Sequence, residues 1–180
     1  MELGVSYIPA HLPEHLSTDM AQMADIGCTE VLVALQENHL DTLVGALDFG
    51  ARAAADHGLR PYAVIWGLFN TFGGGRMSNR LLRDTGLWCR DRGGLPFPQA
   101  CLNHPDIPGL VGAIARRCRD AGYQGLFVDE PTRQACFCPH CQAAYAACGG
   151  NELLAASEAE ANAFRAHTVW SYTATVCAEV

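Results

Sequence analysis

With 180 residues, 49% of them apolar, and a net charge of −7, the chain is long enough for one domain with a real core. The acidic balance leaves no basic footprint for nucleic acid, and no apolar run approaches the roughly 20 residues of a membrane helix. No cationic segment precedes the first apolar run, Gly4-Val5-Ser6-Tyr7-Ile8, so the expectation is a cytoplasmic protein without a secretory signal and with reduced thiols.

A first strand is expected over Leu3 to Ile8. A helix from near Ser17 follows, with Leu16, Met20, Met23 and Ile26 on helical spacing and Gly27 placed to end it. The second strand, Glu30 to Leu35, has the valine and leucine content of a parallel strand covered on both faces. A second helix begins near Asp41, carries Leu43, Val44, Leu47, Ala51 and Ala54 on one face, and stops at Gly58. The third strand is Pro61 to Trp66, followed by a long Gly-rich loop over 68–104. The third helix runs from Pro105 or Asp106 to Ala121, with Ile107, Leu110, Val111, Ile114 and Cys118 inward and Gly122 as its stop. The fourth strand is Gly125 to Val128. After a cysteine-rich loop over 131–142, helix is expected for His140 to Ala147 and, beyond Gly149-Gly150, for Glu152 to Val180.

This order, four strands alternating with helices, is that of a parallel sheet with helical crossovers. The first βα turn, Ile8-Pro9-Ala10-His11, has none of the glycines of a nucleotide-binding loop. Polar or aromatic residues end every strand: Tyr7, then Gln36 with Glu37 and Asn38, Trp66 with Asn70, and Asp129 with Glu130. In a (β/α)8 barrel that end carries the active site, and a complete barrel needs roughly 200 residues or more. The expected fold is therefore α/β, a (β/α)4 half of a TIM barrel forming one partial domain over 1–180.

Two motifs carry chemistry. Asp129-Glu130 closes the fourth strand, and Glu130 there is placed for the carboxylic acid of a glycosidase, which protonates the leaving oxygen while a second carboxylate acts from the other face. The plainer reading is a loop cap or an ion pair with Arg133. The second motif is Cys136-Phe137-Cys138-Pro139-His140-Cys141. A closed structural zinc site takes four ligands. Cys136, Cys138 and Cys141 supply three, and Cys101, at the end of the long loop, is the best fourth, with Cys89 or His140 as alternatives. Cys138-Pro139-His140-Cys141 also matches the C-P-H-C of some thioredoxin-superfamily disulfide oxidoreductases. That motif, however, comes early in its fold, and here three β/α units precede it and only helix follows. Of the nine cysteines, Cys28, Cys118, Cys148 and Cys177 lie in or beside helical apolar patterns and read as small buried hydrophobes.

The remaining candidates are less specific. Trp66 and Phe69 fit a sugar-stacking platform or a core equally well. His11 and His15 read as solvated. Arg76, Arg80, Arg83, Arg90 and Arg92 in the long loop fit salt bridges better than an acidic substrate, and Gly73-Gly74-Gly75 is not a phosphate loop.

Taken with Gln99-Ala100-Cys101-Leu102-Asn103-His104-Pro105, these motifs resemble the N-terminal half of a clan-A glycoside hydrolase barrel, most of all the β-galactosidases of family 42 and related glycosidase-like proteins. The resemblance implies Glu130 as acid/base with Asp129 beside it, sugar contacts from Tyr7, Glu37, Asn38 and Trp66, and a structural zinc ion on Cys101, Cys136, Cys138 and Cys141. It also implies a carbohydrate partner. In that family asparagine usually precedes the acid/base glutamate, where this chain has Asp129, and the nucleophile ends strand seven, beyond four β/α units. Self-association, or pairing with a missing C-terminal half, is the further expectation for an open half-barrel. The rival readings are a non-catalytic carbohydrate-binding or scaffold protein that keeps the zinc, and a thiol-disulfide oxidoreductase.

Overall fold

Glycine stops three helices in the same way. The computed structural model describes residues 2–8, 13–37, 44–65, 78–129 and 135–178, the side chains of Pro13 and Val44 excepted. Gly27, Gly58 and Gly122 have φ of 91°, 75° and 101°, the left-handed region that closes a helix without a Cβ penalty. At each of them the next residue's N–H reaches back five residues: Cys28 to Met23, Leu59 to Ala54 and Tyr123 to Cys118. A strand follows within a few residues each time. The stops expected at Gly27, Gly58 and Gly122 are thus the hinges of a repeated helix-to-strand unit. Asn38, Trp66, Asn70 and Glu130 lie outside the described residues, as do His11, Phe69, Gly73-Gly74-Gly75, Arg76 and Arg133.

The chain divides into two compact units, Met1–Trp66 with Ile114–Asp129, and Gly67–Ala113 with Glu130–Val180. The first contains β1 (Gly4–Tyr7), α1 (Pro13–Asp25), β2 (Glu30–Leu35), α2 (Val44–Asp56), β3 (Arg60–Ile65) and, later in the chain, β6 (Leu126–Val128). Its sheet is parallel throughout in the order β1-β2-β3-β6, with helical crossovers, as the sequence leads one to expect and as a partial barrel requires. Val31, Val33 and Leu35 stand in register with Pro61, Ala63 and Ile65 and are buried. They share their core with Leu16 and Met20 of α1 and Leu47, Ala51 and Ala54 of α2. At the other face, Leu32, Tyr62 and Val64 are only half-buried. Arg60 bridges Glu30 at 2.5 Å and Glu2 at 2.6 Å across the start of β2 and β3, a surface pair that contributes little.

The second unit contains α3 (Asn79–Arg83), β4 (Trp88–Arg90), β5 (Pro96–Ala100), α5 (Pro139–Ala147) and α6 (Glu158–Ala178); α4 (Asp106–Asp120) runs through both units. The segment expected as a long loop over 68–104 therefore holds an antiparallel hairpin. Asp91 makes its turn: its carboxylate accepts from the Leu95 N–H at 2.8 Å, and Gly94 takes the positive φ. The last helix also starts later than expected. Leu153–Ala155 is a 3-10 turn, and Ser157 with Glu160 forms a reciprocal capping box ahead of α6. Among the described residues, no helix is long and apolar enough to cross a membrane.

Packing around Gly50 in α2 makes a sharp test. A Cβ there would lie 2.6 Å from the Tyr123 hydroxyl, with the next atoms at 3.7 and 3.9 Å. That hydroxyl is buried and has no hydrogen-bond partner among the described residues. Gly50→Ala is expected to destabilise the protein by about 1–3 kcal/mol through overpacking. In a Tyr123→Phe background the clash is gone and the helix-propensity gain of up to about 1 kcal/mol remains, so the sign should reverse. Urea unfolding of the four variants of this cycle measures it.

Candidate functional site

The second unit has an unusual core. Cys89, Cys101, Cys138 and Cys141 are buried there with Leu153 and Phe164, and Cys136, Phe97, Phe137 and Tyr145 pack against them. Local structure brings the thiols in from three directions. β4 carries Cys89. Cys101 follows β5, its N–H bonded to the Leu87 carbonyl at 2.8 Å. Cys138 is the N-cap of α5, Pro139 opens the helix, and Cys141 lies in its first turn.

The sulfur atoms of Cys101, Cys136, Cys138 and Cys141 all lie within 4.8 Å of one another. Cys101 Sγ is 3.4 Å from those of both Cys138 and Cys141. Metal–sulfur bonds of about 2.3 Å in a tetrahedral zinc tetrathiolate imply sulfur–sulfur edges of about 3.8 Å. The four thiols therefore form a set able to hold such an ion. Two donors already point at them: the Arg90 N–H at Cys136 Sγ (3.4 Å) and the Asn103 amide at Cys141 Sγ (3.2 Å). Such contacts orient ligands and spread thiolate charge. Of the candidates for the fourth position, the geometry brings Cys101 into the set. His140 is exposed, its ring edge-on to His104 with centroids 4.7 Å apart.

The thiols do not share charge evenly. Cys101 is held down to about 4: the raising effect of its contact with Cys136 is outweighed by donation from Cys138, Cys141 and Cys89. Cys136 is held far below the ordinary thiol range, chiefly by donation from Cys101. Cys89, Cys138 and Cys141 are pushed well up, each first by its contact with Cys101, since they act as donors to ionised neighbours. Burial runs against dithiol redox chemistry at Cys138-Pro139-His140-Cys141: Cys138 is 4% exposed, whereas a reactive cysteine is accessible.

Among the strand-end residues described, Tyr7, Glu37 and Asp129 lie in the first unit. Asp129 directly follows β6 and is half-buried, as is Glu37 after β2. The Tyr7 hydroxyl, at the end of β1, donates to Asp19 of α1 at 2.5 Å. His15 and Arg80, Arg83 and Arg92 are exposed. Arg92 stacks 4.5 Å over the Phe137 ring and donates to the Leu154 carbonyl.

The fold has a recognisable neighbour. It is similar to the catalytic domain of the beta-amylase from Paenibacillus polymyxa, with a TM-score of 0.51 at 9% identity, over 71% of this chain and 36% of that one. The chain thus spans about a third of that domain's length. No family model matches the sequence, and no curated protein does. At this identity the likeness concerns the fold alone.

Four further cysteines lie outside the cluster. Cys118 is buried and Cys28 half-buried, but Cys148 and Cys177 are exposed, which corrects their reading as buried hydrophobes. Cys148 ends α5 and its Sγ lies 3.3 Å from His167 Nε2, so a terminal position rather than a core face explains it. Burial pushes Cys118 up to about 11. Its reactive thiolate fraction at pH 8 is then about a thousandth. Brief alkylation of the native protein at that pH should label Cys148 and Cys177 first and leave Cys118 unmodified. Cys118 labelling should rise only as the pH approaches 11, read by peptide mass spectrometry.

Proposed function

We propose that this chain forms strands one to four of a glycoside hydrolase-like barrel and carries a structural zinc ion on Cys101, Cys136, Cys138 and Cys141. One observation carries the reading: a wholly parallel β1-β2-β3-β6 sheet whose last strand runs into Asp129, in a fold similar to a beta-amylase catalytic domain. Glu130 is the general acid/base, as the likeness to family 42 implies, with Asp129 beside it holding its orientation or a sugar hydroxyl. Glu37, Asn38 and Trp66 are the proposed sugar contacts, with Tyr7 at the end of β1 braced against Asp19 of α1. The nucleophilic carboxylate of a two-carboxylate mechanism comes from further strands of the barrel or from a partner chain.

Zinc here is a staple. Four thiolates close a tetrahedral ion and leave no open position for substrate or water, so its contribution is the folded geometry of the second unit. The four thiols release their protons on binding, which makes zinc affinity fall with falling pH. Two strands of the sheet support completion by another half. β1 and β6 each have an edge with no paired strand among the described residues, and Phe127 in β6 is 54% exposed. The same edges favour self-association of the chain by itself, and size-exclusion chromatography reads that directly.

The zinc and the chemistry are tested separately. The purified chain should contain one zinc ion, and Cys138→Ser should abolish it together with the cooperative unfolding of the second unit. In the longest gene product containing this sequence, Glu130→Gln should lower aryl glycoside hydrolysis by about 100-fold or more, the usual weight of a general acid. Hydrolysis unchanged by that substitution would remove Glu130 from the mechanism. Sugar binding without turnover would instead favour a carbohydrate-binding protein that keeps the staple.

A further inference from the structure

The thiol cluster of the second unit holds one cysteine more than a tetrathiolate uses. Cys89 is 1% exposed in β4, opposite Phe97 of β5, and is buried in the same cluster as Cys101, Cys138 and Cys141 with Cys136 packed against it. Its thiol donates to the Ala100 carbonyl at 3.3 Å. We infer that Cys89 is a fifth ligand-competent thiol of the centre, able to replace Cys136 on the bound ion; the inference rests on the zinc reading above.

Three observations single out this exchange. First, the two thiols are anchored to the same stretch of backbone. The Phe137 N–H donates to the Arg90 carbonyl at 2.8 Å and the Arg90 N–H points at Cys136 Sγ at 3.4 Å, which lays 136–137 alongside 89–90. Second, the other three ligands are fixed more firmly. Cys138 and Cys141 belong to the first turn of α5, and Cys101 touches both at 3.4 Å. Cys136 is the half-buried member of the set. Third, there is room for a displaced sulfur. A cavity of about 20 Å³ is bordered by Cys89, Cys136 and Cys141, with Asn103 and Thr168 on its polar side. That is space for about one water molecule.

The exchange balances without any co-reactant. The metal–sulfur bond to Cys136 breaks as one to Cys89 forms, and the proton that leaves the Cys89 thiol is taken up by Cys136. The count of four thiolates on a divalent ion is unchanged. Modification of the half-buried Cys136 would then cost the centre one ligand geometry rather than its metal.

Zinc content and the absorption spectrum of the cobalt(II)-loaded protein decide the matter for the wild type, Cys89→Ser, Cys136→Ser and the double variant. The wild type and Cys89→Ser should each hold one ion. Cys136→Ser should also hold one ion and keep the full sulfur-to-cobalt charge-transfer intensity of a four-thiolate site, and the double variant should lose intensity or metal. A Cys136→Ser spectrum equal to that of the double variant would overturn the exchange and leave the zinc reading standing. Failure of Cys136→Ser to fold, where Cys89→Ser folds with zinc, would overturn it as well. A wild type that binds neither ion would overturn both readings.

Discussion

The second unit depends on what becomes of its sulfur. Five cysteines meet in one cluster where leucine and isoleucine are more usual, and among the described residues of that cluster Leu153 and Phe164 are the other buried ones. Thiols make a small hydrophobic core, and one that ionises there without a cation is costly. A divalent ion on Cys101, Cys136, Cys138 and Cys141 would turn the same atoms from a weak core into cross-links between the turn after β5 and the start of α5.

The first unit is held by ordinary means. Val31, Val33 and Leu35 in one strand and Ala63 and Ile65 in the next make a buried face, and α1 and α2 lie on it with leucine, methionine and alanine. Alanine at Ala51 and Ala54, and glycine at Gly50, let the α2 backbone come close: an added Cβ at Gly50 would meet Val33 at 3.7 Å as well as Tyr123. Little in this unit is chemically specialised apart from the residues at the strand ends.

Much of the fold was legible because the repeated unit writes itself in period and punctuation. The helix stops at Gly27, Gly58 and Gly122 and the parallel strand order follow from apolar spacing and single glycines. Cys101 was legible too, from cysteine spacing and its place after the 68–104 segment. The hairpin was not. β4 is three residues long, and β5 contains Pro96 and Pro98, which argue against a strand unless it pairs on one edge. Asp91-Arg92-Gly93-Gly94 between Trp88 and Phe97 was the signal available, a turn sequence flanked by aromatic runs. Ser157-Glu158-Ala159-Glu160 likewise spelled the true start of α6. Cys177 was misread because α6 is alanine-rich and its small side chains mark no clear buried stripe.

The two edges of the parallel sheet are not equivalent. A parallel sheet is normally covered on both faces and flanked by paired strands. β1 presents Gly4 and Ser6, short and partly polar, and its side chains alternate between exposed and half-buried. β6 presents Leu126-Phe127-Val128 with no charge, no proline and no bulge, none of the devices that blunt an open edge. Its ladder to β3 spans only Ala63 to Ile65, and Phe127 remains more than half exposed. Among the described residues, β6 is therefore the edge left unprotected, while β1 is the more polar one.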